Sequence, residues 1–247
     1  MRIALMTLAA AGTLAAQTAD VPAFSNGARI LFQGDSITDM GRGRTADPNH
    51  ILGHSYAFLI AARYGSAFPE RHLTFLNRGV SGNTVADLIG RWQSDTLALK
   101  PDLLSILIGI NDLGRGVSAA DFERQYDSLL ADTVKALPDV RLVLGDPFAL
   151  RVGRYTGEQW NERMTELRKR QAIVAKLAEK YHAALVRYQS AFDAACERAP
   201  ADYWIWDGIH PTYSGQQLLA DEWVRTVGQA NWTAQPVRPP VSPASLR

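Results

Sequence analysis

Residues 102–109, DLLSILIG, form an almost continuously apolar run. A strand with one solvated face alternates apolar and polar residues, whereas a strand buried on both faces of a parallel sheet is apolar throughout. The polar residues Asn111 and Asp112 follow directly after this run. The segment therefore predicts a parallel strand in the middle of a sheet, with polar side chains beyond its carboxyl end.

Similar apolar runs recur on both sides of this segment and alternate with longer amphipathic stretches. The predicted strands are 28–34, 73–79, 102–109, 140–147 and 184–190. The predicted helices are 53–68, 84–100, 118–137, 158–182 and 213–230. Thr84 with Asp87 predicts a capping pair, and Ser118 predicts a helix N-cap. The alternation predicts an α/β fold, with an open five-stranded parallel sheet covered by helices on both faces.

The composition limits the class of protein and of partner. The chain has 247 residues, of which 47% are hydrophobic and 21% charged, which suits one globular domain with a substantial core. It carries 26 basic and 25 acidic side chains, and no run of basic residues. We therefore expect neither nucleic acid nor a membrane surface as a partner, because no strong positive field is available.

The two ends of the chain differ in composition from the rest. Residues 1–16 have one early arginine, an apolar run too short to span a bilayer, and small residues at the end. This pattern predicts a signal peptide and a secreted or periplasmic protein, although a buried N-terminal helix is an alternative. Residues 17–27 would lead into a domain spanning 28–232. The Pro- and Ser-rich residues 233–247 predict a disordered tail.

Polar residues follow several predicted strands at the edge where such sheets bind ligands. Ser36 follows the first strand, Gly82 the second and Asn111 the third. Asp207 and His210 lie in the loop before the last helix. Because parallel strands end at one edge, we expect these loops to bring together the groups that acyl transfer needs.

Each of these residues has a chemical role to offer. Ser36 could be a nucleophile if a base takes its proton, and His210 is the natural base near neutral pH. Asp207 could hold the imidazole in the correct tautomer. The N–H groups of Ser36 and Gly82 and the amide of Asn111 could bind an oxyanion. Taken singly, each residue is also compatible with an ordinary turn or cap, and only the ordered combination favours catalysis.

Four sequence blocks resemble, in order, those of the SGNH hydrolases, also called GDSL esterases. They are GDSIT (34–38), NRGVSGNT (77–84), GIND (109–112) and DGIHP (207–211). The longer strings GDSITDMGR, GVSGNTVADLIGRW and KPDLLSILIGIND are similar to bacterial carbohydrate acetylesterases of the acetylxylan esterase type.

The resemblance covers roughly residues 28 to 230. It implies a three-layer α/β/α sandwich of the flavodoxin-like SGNH hydrolase fold. It also implies Ser36, His210 and Asp207 as a catalytic triad, an oxyanion hole from Ser36, Gly82 and Asn111, and no metal or organic cofactor.

Aromatic residues precede the predicted catalytic loop. Tyr203, Trp204 and Trp206 could pack locally or present flat faces to sugar rings. Trp206, adjacent to Asp207, is the strongest candidate for a substrate-binding wall.

Other polar candidates favour structural roles. His50 and His54 sit four apart but lack the glutamate of a HExxH zinc motif, which disfavours a metal site. Asp35 and Asp39 are expected to anchor the turn or cap a helix. Arg42 and Arg44 are expected to be solvated. The single cysteine, Cys196, excludes an intrachain disulfide and is expected to be a buried structural thiol.

The sequence thus predicts a serine esterase that deacetylates carbohydrate esters such as acetylated xylan or xylo-oligosaccharides. The alternatives are a broad-specificity short-chain lipase or thioesterase and a non-catalytic carbohydrate-binding protein. A homo-oligomer is also open, because close relatives include homo-oligomers, but no sequence feature determines a symmetry.

Overall fold

The structure is a computed structural model that describes residues 24–232. The predicted signal peptide at 1–16 and the predicted tail at 233–247 lie outside the described residues. Within the described part, no helix is both long enough and apolar enough to cross a bilayer.

A five-stranded sheet forms the centre of the fold, and all of its neighbouring strands are parallel. The spatial order is β2-β1-β3-β4-β5, which is the flavodoxin-like order. The strands are β1 (Arg29–Gly34), β2 (Thr74–Asn77), β3 (Leu103–Leu107), β4 (Arg141–Gly145) and β5 (Ala184–Val186). The sheet predicted from sequence is therefore confirmed, with β3 at its centre and buried along its whole length.

Nine α-helices connect and cover the strands in the described residues. The long ones are α2 (Tyr56–Ala67), α3 (Val85–Asp95), α5 (Ala119–Ala136), α6 (Trp160–Lys180) and α9 (Tyr213–Gln229). The short ones are α1 (Ser36–Asp39), α4 (Ile110–Gly114), α7 (Tyr188–Ala195) and α8 (Ala201–Trp204). Thr84 and Asp87 form the predicted capping box of α3, and Ser118 caps α5.

The helices form two layers, because adjacent residues of a strand point to opposite faces of the sheet. Leu103 packs in the core beneath α2, α7 and α9, while its neighbour Leu104 packs beneath α3, α5 and α6. The indole N–H of Trp223 in α9 donates to the hydroxyl of Ser105 in β3 at 3.0 Å. This three-layer arrangement leaves the carboxyl ends of the strands as the edge where loops converge.

The sequence-based bounds are wrong at the last strand. We expected a strand over 184–190, but β5 ends at Val186 and α7 begins at Tyr188. The Tyr188 ring is buried against Gly145, where any added side chain would collide with it. The close packing of helix against strand therefore stops the strand early, which an apolar pattern cannot show.

Candidate active site

The chain turns sharply after β1 and places Ser36 at the start of α1. A side chain at Gly34 would collide with the carbonyl of Leu107 and with Thr38, so only glycine fits this close turn. Asp35 accepts a hydrogen bond from the Ile37 N–H at 3.0 Å and caps the helix. The Ser36 hydroxyl is thereby held at the sheet edge, partly exposed.

Ser36, His210 and Asp207 form a chain of hydrogen bonds. Oγ of Ser36 lies 2.8 Å from Nε2 of His210. Nδ1 of His210 lies 2.8 Å from Oδ2 of Asp207. The imidazole can thus accept the serine proton on one nitrogen while the other nitrogen donates to a carboxylate.

Asp207 is buried but well supplied with donors. Its Oδ1 accepts hydrogen bonds from the backbone N–H of Ile209 at 3.1 Å and from the backbone N–H of His210 at 2.8 Å. Its Oδ2 also lies 2.6 Å from Nη2 of Arg154. Burial acts to raise the pKa of Asp207, but the hydrogen bonds from His210 and Ile209 outweigh it and hold the pKa below its ordinary value. The carboxylate facing the imidazole is therefore charged.

Two glycines allow the loop after β4 to pack against the loop that holds Asp207. Gly153 has a φ of +60°, and a Cβ there would collide with the backbone of Asp207. Gly208 has a φ of +105°, and a Cβ there would collide with the ring of Tyr155. Both positions combine a left-handed backbone with close contact, which favours glycine. The two loops consequently position each other.

The loop after β2 is tied to the turn that holds Ser36. Asn77 donates from Nδ2 to the Thr38 carbonyl at 2.6 Å. Asp39 accepts from the N–H of Ser81 at 3.0 Å and from its hydroxyl at 2.9 Å. Burial acts to raise the pKa of Asp39, but hydrogen bonds from Arg44 and Ser81 lower it below the ordinary value. These contacts fix the backbone that leads to Gly82.

Asn111 lies in the first turn of α4, where its amide is held in place. Its Nδ2 donates to the Asn83 carbonyl at 3.1 Å, which leaves the second amide hydrogen for another acceptor. Gly82 has a φ of +83°, a left-handed backbone that favours glycine.

Small-molecule sites are typically cavities of about 300 to 1,000 Å³. The cavity beside Ser36 has a volume of about 610 Å³. Ser36, Gly82, Asn111 and His210 all line it, with Asp207 behind His210. The structure thus brings the predicted nucleophile, base and oxyanion donors to one space.

Sequence reasoning missed part of the cavity wall. Arg115, Arg154, Tyr155 and Arg163 also line this cavity. Arg154 and Tyr155 come from the loop after β4, which lies at the same sheet edge as the other loops. The position of that loop was a usable signal, but its mixed composition, RVGRYTGEQW, matched none of the recognised blocks.

The aromatic residues before His210 fall into two groups. Trp204 is buried and packs in the core, so its local-packing role is confirmed. Trp206 is 65% exposed, and its backbone N–H donates to the His210 carbonyl at 3.2 Å. It is not among the residues that line the cavity beside Ser36. Tyr203 is half exposed and contacts Trp204 edge to face.

The expectation for Arg42 is wrong, because this side chain is partly buried. Its Nε donates to the Gly79 carbonyl at 2.7 Å, and burial lowers its pKa to about 10. Arg44 is exposed, as expected, but pairs with Asp39 at 2.8 Å. The two loops of the site are thus joined by charged groups as well as by amides.

The remaining candidates take no part in the cavity. His50 bonds the carboxylate of Asp47 at 2.6 Å within a run of turns, so His50 and His54 do not share a helix face. In residues 24–232 no cluster of three or more His, Cys, Asp or Glu residues could hold a metal ion. Cys196 is half-buried rather than buried, and follows α7.

A family model and a curated relative match most of the chain. Residues 32–218 match the GDSL-like Lipase/Acylhydrolase family. An acetylxylan esterase from Geobacillus stearothermophilus is 31% identical over 215 residues, which cover 82% of this chain and 95% of the relative.

Solved structures of similar proteins share the fold. A candidate GDSL-like lipase from Parabacteroides merdae is 37% identical with a TM-score of 0.78, covering 83% of this chain and 97% of that one. The acetylxylan esterase Axe2 from Geobacillus stearothermophilus is 31% identical with a TM-score of 0.72, covering 85% of this chain and 97% of that one.

Proposed function

The chain belongs to the GDSL-like lipase/acylhydrolase family and is a carboxylic ester hydrolase of the SGNH type, and from this premise we propose that it removes acetyl groups from carbohydrate esters such as acetylated xylo-oligosaccharides. The observation that carries the proposal is the hydrogen-bonded chain from Ser36 through His210 to Asp207 at the wall of a 610 Å³ cavity. Similarity to acetylxylan esterases supports the choice of substrate.

The proposed reaction proceeds through an acyl-enzyme. Ser36 attacks the ester carbonyl while Nε2 of His210 takes the hydroxyl proton, and Asp207 stabilises the imidazolium that forms. The resulting oxyanion is bound by the N–H groups of Ser36 and Gly82 and by the amide of Asn111. His210 returns the proton to the departing sugar oxygen, and water then hydrolyses the acetylated Ser36 by the same route.

The loops at the site support the choice of a short acyl group. The segment 41–50, GRGRTADPNH, is polar, and the segment 114–121, GRGVSAAD, is short and has mostly small side chains, so neither supplies an apolar groove for a long acyl chain. Trp206 stands exposed next to the catalytic loop, where its flat face could pack against a sugar ring. A short acyl group on a sugar fits these surroundings better than a fatty acid.

The first experiment compares acyl chain lengths on p-nitrophenyl esters. kcat/KM is expected to fall by at least about tenfold from acetate to octanoate, because each methylene left unburied forfeits roughly 0.8 kcal/mol. Ser36→Ala is expected to lose turnover to near background, whereas Ser66→Ala, on the exposed end of α2, serves as the matched control. Equal or better turnover of octanoate would favour a short-chain lipase or thioesterase instead.

The second experiment measures acetate released from acetylated xylo-oligosaccharides. We expect release by the wild type and a lower kcat/KM in Trp206→Ala. Unchanged rates in that variant would remove Trp206 from the substrate site without affecting the esterase assignment.

We also propose that residues 1–16 are removed as a signal peptide and that the enzyme acts outside the cytoplasm. Mass spectrometry of the protein from the medium and periplasm of an expressing bacterium tests this. A product that retains Met1 and stays in the cytoplasm would refute it.

A further inference from the structure

The cavity beside Ser36 has a strongly basic wall. Arg115, Arg154 and Arg163 line it, and none of its lining residues is an aspartate or glutamate. Two of the three arginines have carboxylate partners behind the wall: Arg115 pairs with Asp87 at 3.2 Å, and Arg154 pairs with Asp207 at 2.6 Å. Arg163 is the exception.

Arg163 lies in the first turn of α6 and is partly buried. Its guanidinium carbon lies over the buried ring of Tyr155, 4.6 Å from the ring centroid, which is within the range of a cation–π contact. Among residues 24–232, no side chain or carbonyl accepts a hydrogen bond from it, and no carboxylate pairs with it. The acidic neighbours Glu158 and Glu162 are exposed and make no ion pair with it.

Arg163 lines the cavity, and its guanidinium has no hydrogen-bond or ion-pair partner among residues 24–232. The Tyr155 ring contacts the guanidinium and restricts its movement, while the N–H groups keep no acceptor among residues 24–232. A fixed guanidinium edge matches a carboxylate, which it can bind through two parallel hydrogen bonds. This edge faces the cavity, so an anion that enters the cavity can bind it.

Arg163 also stands where two cavities meet. Arg154, Tyr155 and Arg163 line both the cavity beside Ser36 and a neighbouring cavity of about 320 Å³. An acetyl ester held at Ser36 must place the rest of its sugar away from the nucleophile. The second cavity, which Glu158 also lines, offers room for a further ring, while Arg163 lies between the two cavities where a carboxylate on the substrate would meet it.

We propose that the cleft selects acetylated carbohydrates that carry a carboxylate, as in a uronic acid unit, and that Arg163 is the specificity-determining residue that binds this carboxylate. The inference rests on the esterase function proposed above and names the substrate class for that site. A neutral acetylated sugar would still reach Ser36 but would leave the guanidinium uncompensated.

The carboxylate that binds Arg163 could instead be the acetate that the reaction releases. A product carboxylate would bind as an inhibitor and would not distinguish acidic from neutral sugars. Inhibition of p-nitrophenyl acetate hydrolysis by sodium glucuronate, glucose and sodium acetate separates the two sources. We expect glucuronate to inhibit at a concentration at least about tenfold lower than either glucose or acetate.

The main test compares two acetylated xylo-oligosaccharides of equal length, one with a glucuronic acid substituent and one without. The wild type is expected to favour the acidic substrate by about tenfold in kcat/KM, which corresponds to about 1.4 kcal/mol. Arg163→Gln is expected to bring the ratio close to one, and Arg163→Lys to keep part of it. Arg168→Gln, on the exposed face of the same helix, is the matched control and should keep the full ratio.

Added salt gives a measurement that needs no variant. The preference of the wild type is expected to shrink between about 0.05 and 0.5 M NaCl, because salt screens a partly exposed charge pair. A wild-type ratio near one, or a ratio that Arg163→Gln leaves intact, would overturn the inference. Stronger inhibition by acetate than by glucuronate would assign Arg163 to the product instead. Failure of the wild type to hydrolyse both the neutral oligosaccharide and p-nitrophenyl acetate would refute the proposed carbohydrate deacetylation itself.

Discussion

The two sides of the proposed catalytic serine each contain a buried aspartate, and the two aspartates have opposite surroundings. On the base side, four donor groups bind the oxygens of Asp207: two backbone N–H groups, the His210 ring and Arg154. On the nucleophile side, Asp35 accepts a single hydrogen bond from Ile37 through Oδ1. Its Oδ2 has no partner among the described residues.

The pKa values follow from this difference. Burial acts to raise the pKa of both carboxyls. At Asp207 the hydrogen bonds outweigh burial, and the pKa is lowered. At Asp35 burial is the larger effect, the nearby Asp112 adds to it, and the pKa rises to about 7. Asp207 has more donors than Asp35 and is less deeply buried, and both differences favour its charged form. The charged one is the one that faces the imidazole.

The largest effect is expected when the charge of the carboxylate beside His210 is removed. Asp207→Asn is expected to lower kcat by about 10⁴ on p-nitrophenyl acetate, because an amide facing Nδ1 favours the wrong imidazole tautomer. Asp202→Asn, an exposed position in α8, is the control. A loss smaller than about tenfold would show that Asp207 acts only as a loop anchor.

On the nucleophile side, neutral hydrogen-bond donors are expected to stabilise the oxyanion of the transition state. Asn111→Ala is expected to lower kcat by about 10²–10³, the usual effect of removing one oxyanion donor. KM should change less, because the amide is aimed at charge that develops only in the transition state. Steady-state kinetics that show an unchanged kcat with a raised KM would reassign Asn111 to ground-state substrate binding.

The raised pKa of Asp35 predicts that the free energy of unfolding, rather than the catalytic rate, depends on pH through this group. Because the folded-state pKa of about 7 exceeds the ordinary value of 3.8, the folded protein binds the extra proton. This group therefore loses its favourable contribution as pH rises from about 4 through about 7. Asp35→Asn removes the titration, while its amide oxygen can still cap Ile37.

Urea unfolding at pH 4.5, 6 and 8 measures this effect. The free energy of unfolding of Asp35→Asn relative to wild type is expected to increase by at least about 1 kcal/mol between pH 4.5 and pH 8. Asp132→Asn, at an exposed position of α5, should show no such trend. A difference that stays constant with pH would mean that Asp35 is ionised in the folded protein throughout this range.

The smallest effect is expected at Arg154, the extra donor on the base side. Its side chain is 58% exposed, so its pair with Asp207 is screened by solvent. Arg154→Gln is expected to lower kcat by about two- to fivefold, the equivalent of less than about 1 kcal/mol. Arg151→Gln, exposed in the same loop, is the control. A loss approaching that of Asp207→Asn would make Arg154 the group that orients the carboxylate.

Features that depend on local sequence were predicted correctly, whereas features that depend on contacts between distant segments were not. The apolar run of β3 and the capping residues of α3 and α5 act locally, so their patterns were readable. The end of β5 was not, because the packing of Tyr188 against Gly145 decides it. Arg42 was placed in solvent wrongly, because its acceptor, the Gly79 carbonyl, lies 37 residues away along the chain.

The sequence alone determined the order of strands and helices and the loops that carry Ser36, Gly82, Asn111 and His210. It could do so because side-chain periodicity records burial, and because parallel strands bring their carboxyl ends to one edge. Only the tertiary structure decided that Arg154 reaches Asp207, 53 residues away, and that Arg163 lies over the Tyr155 ring in the cavity wall. Those positions depend on how the loop after β4 packs against Gly208, a contact between distant segments that leaves no periodic trace in the sequence.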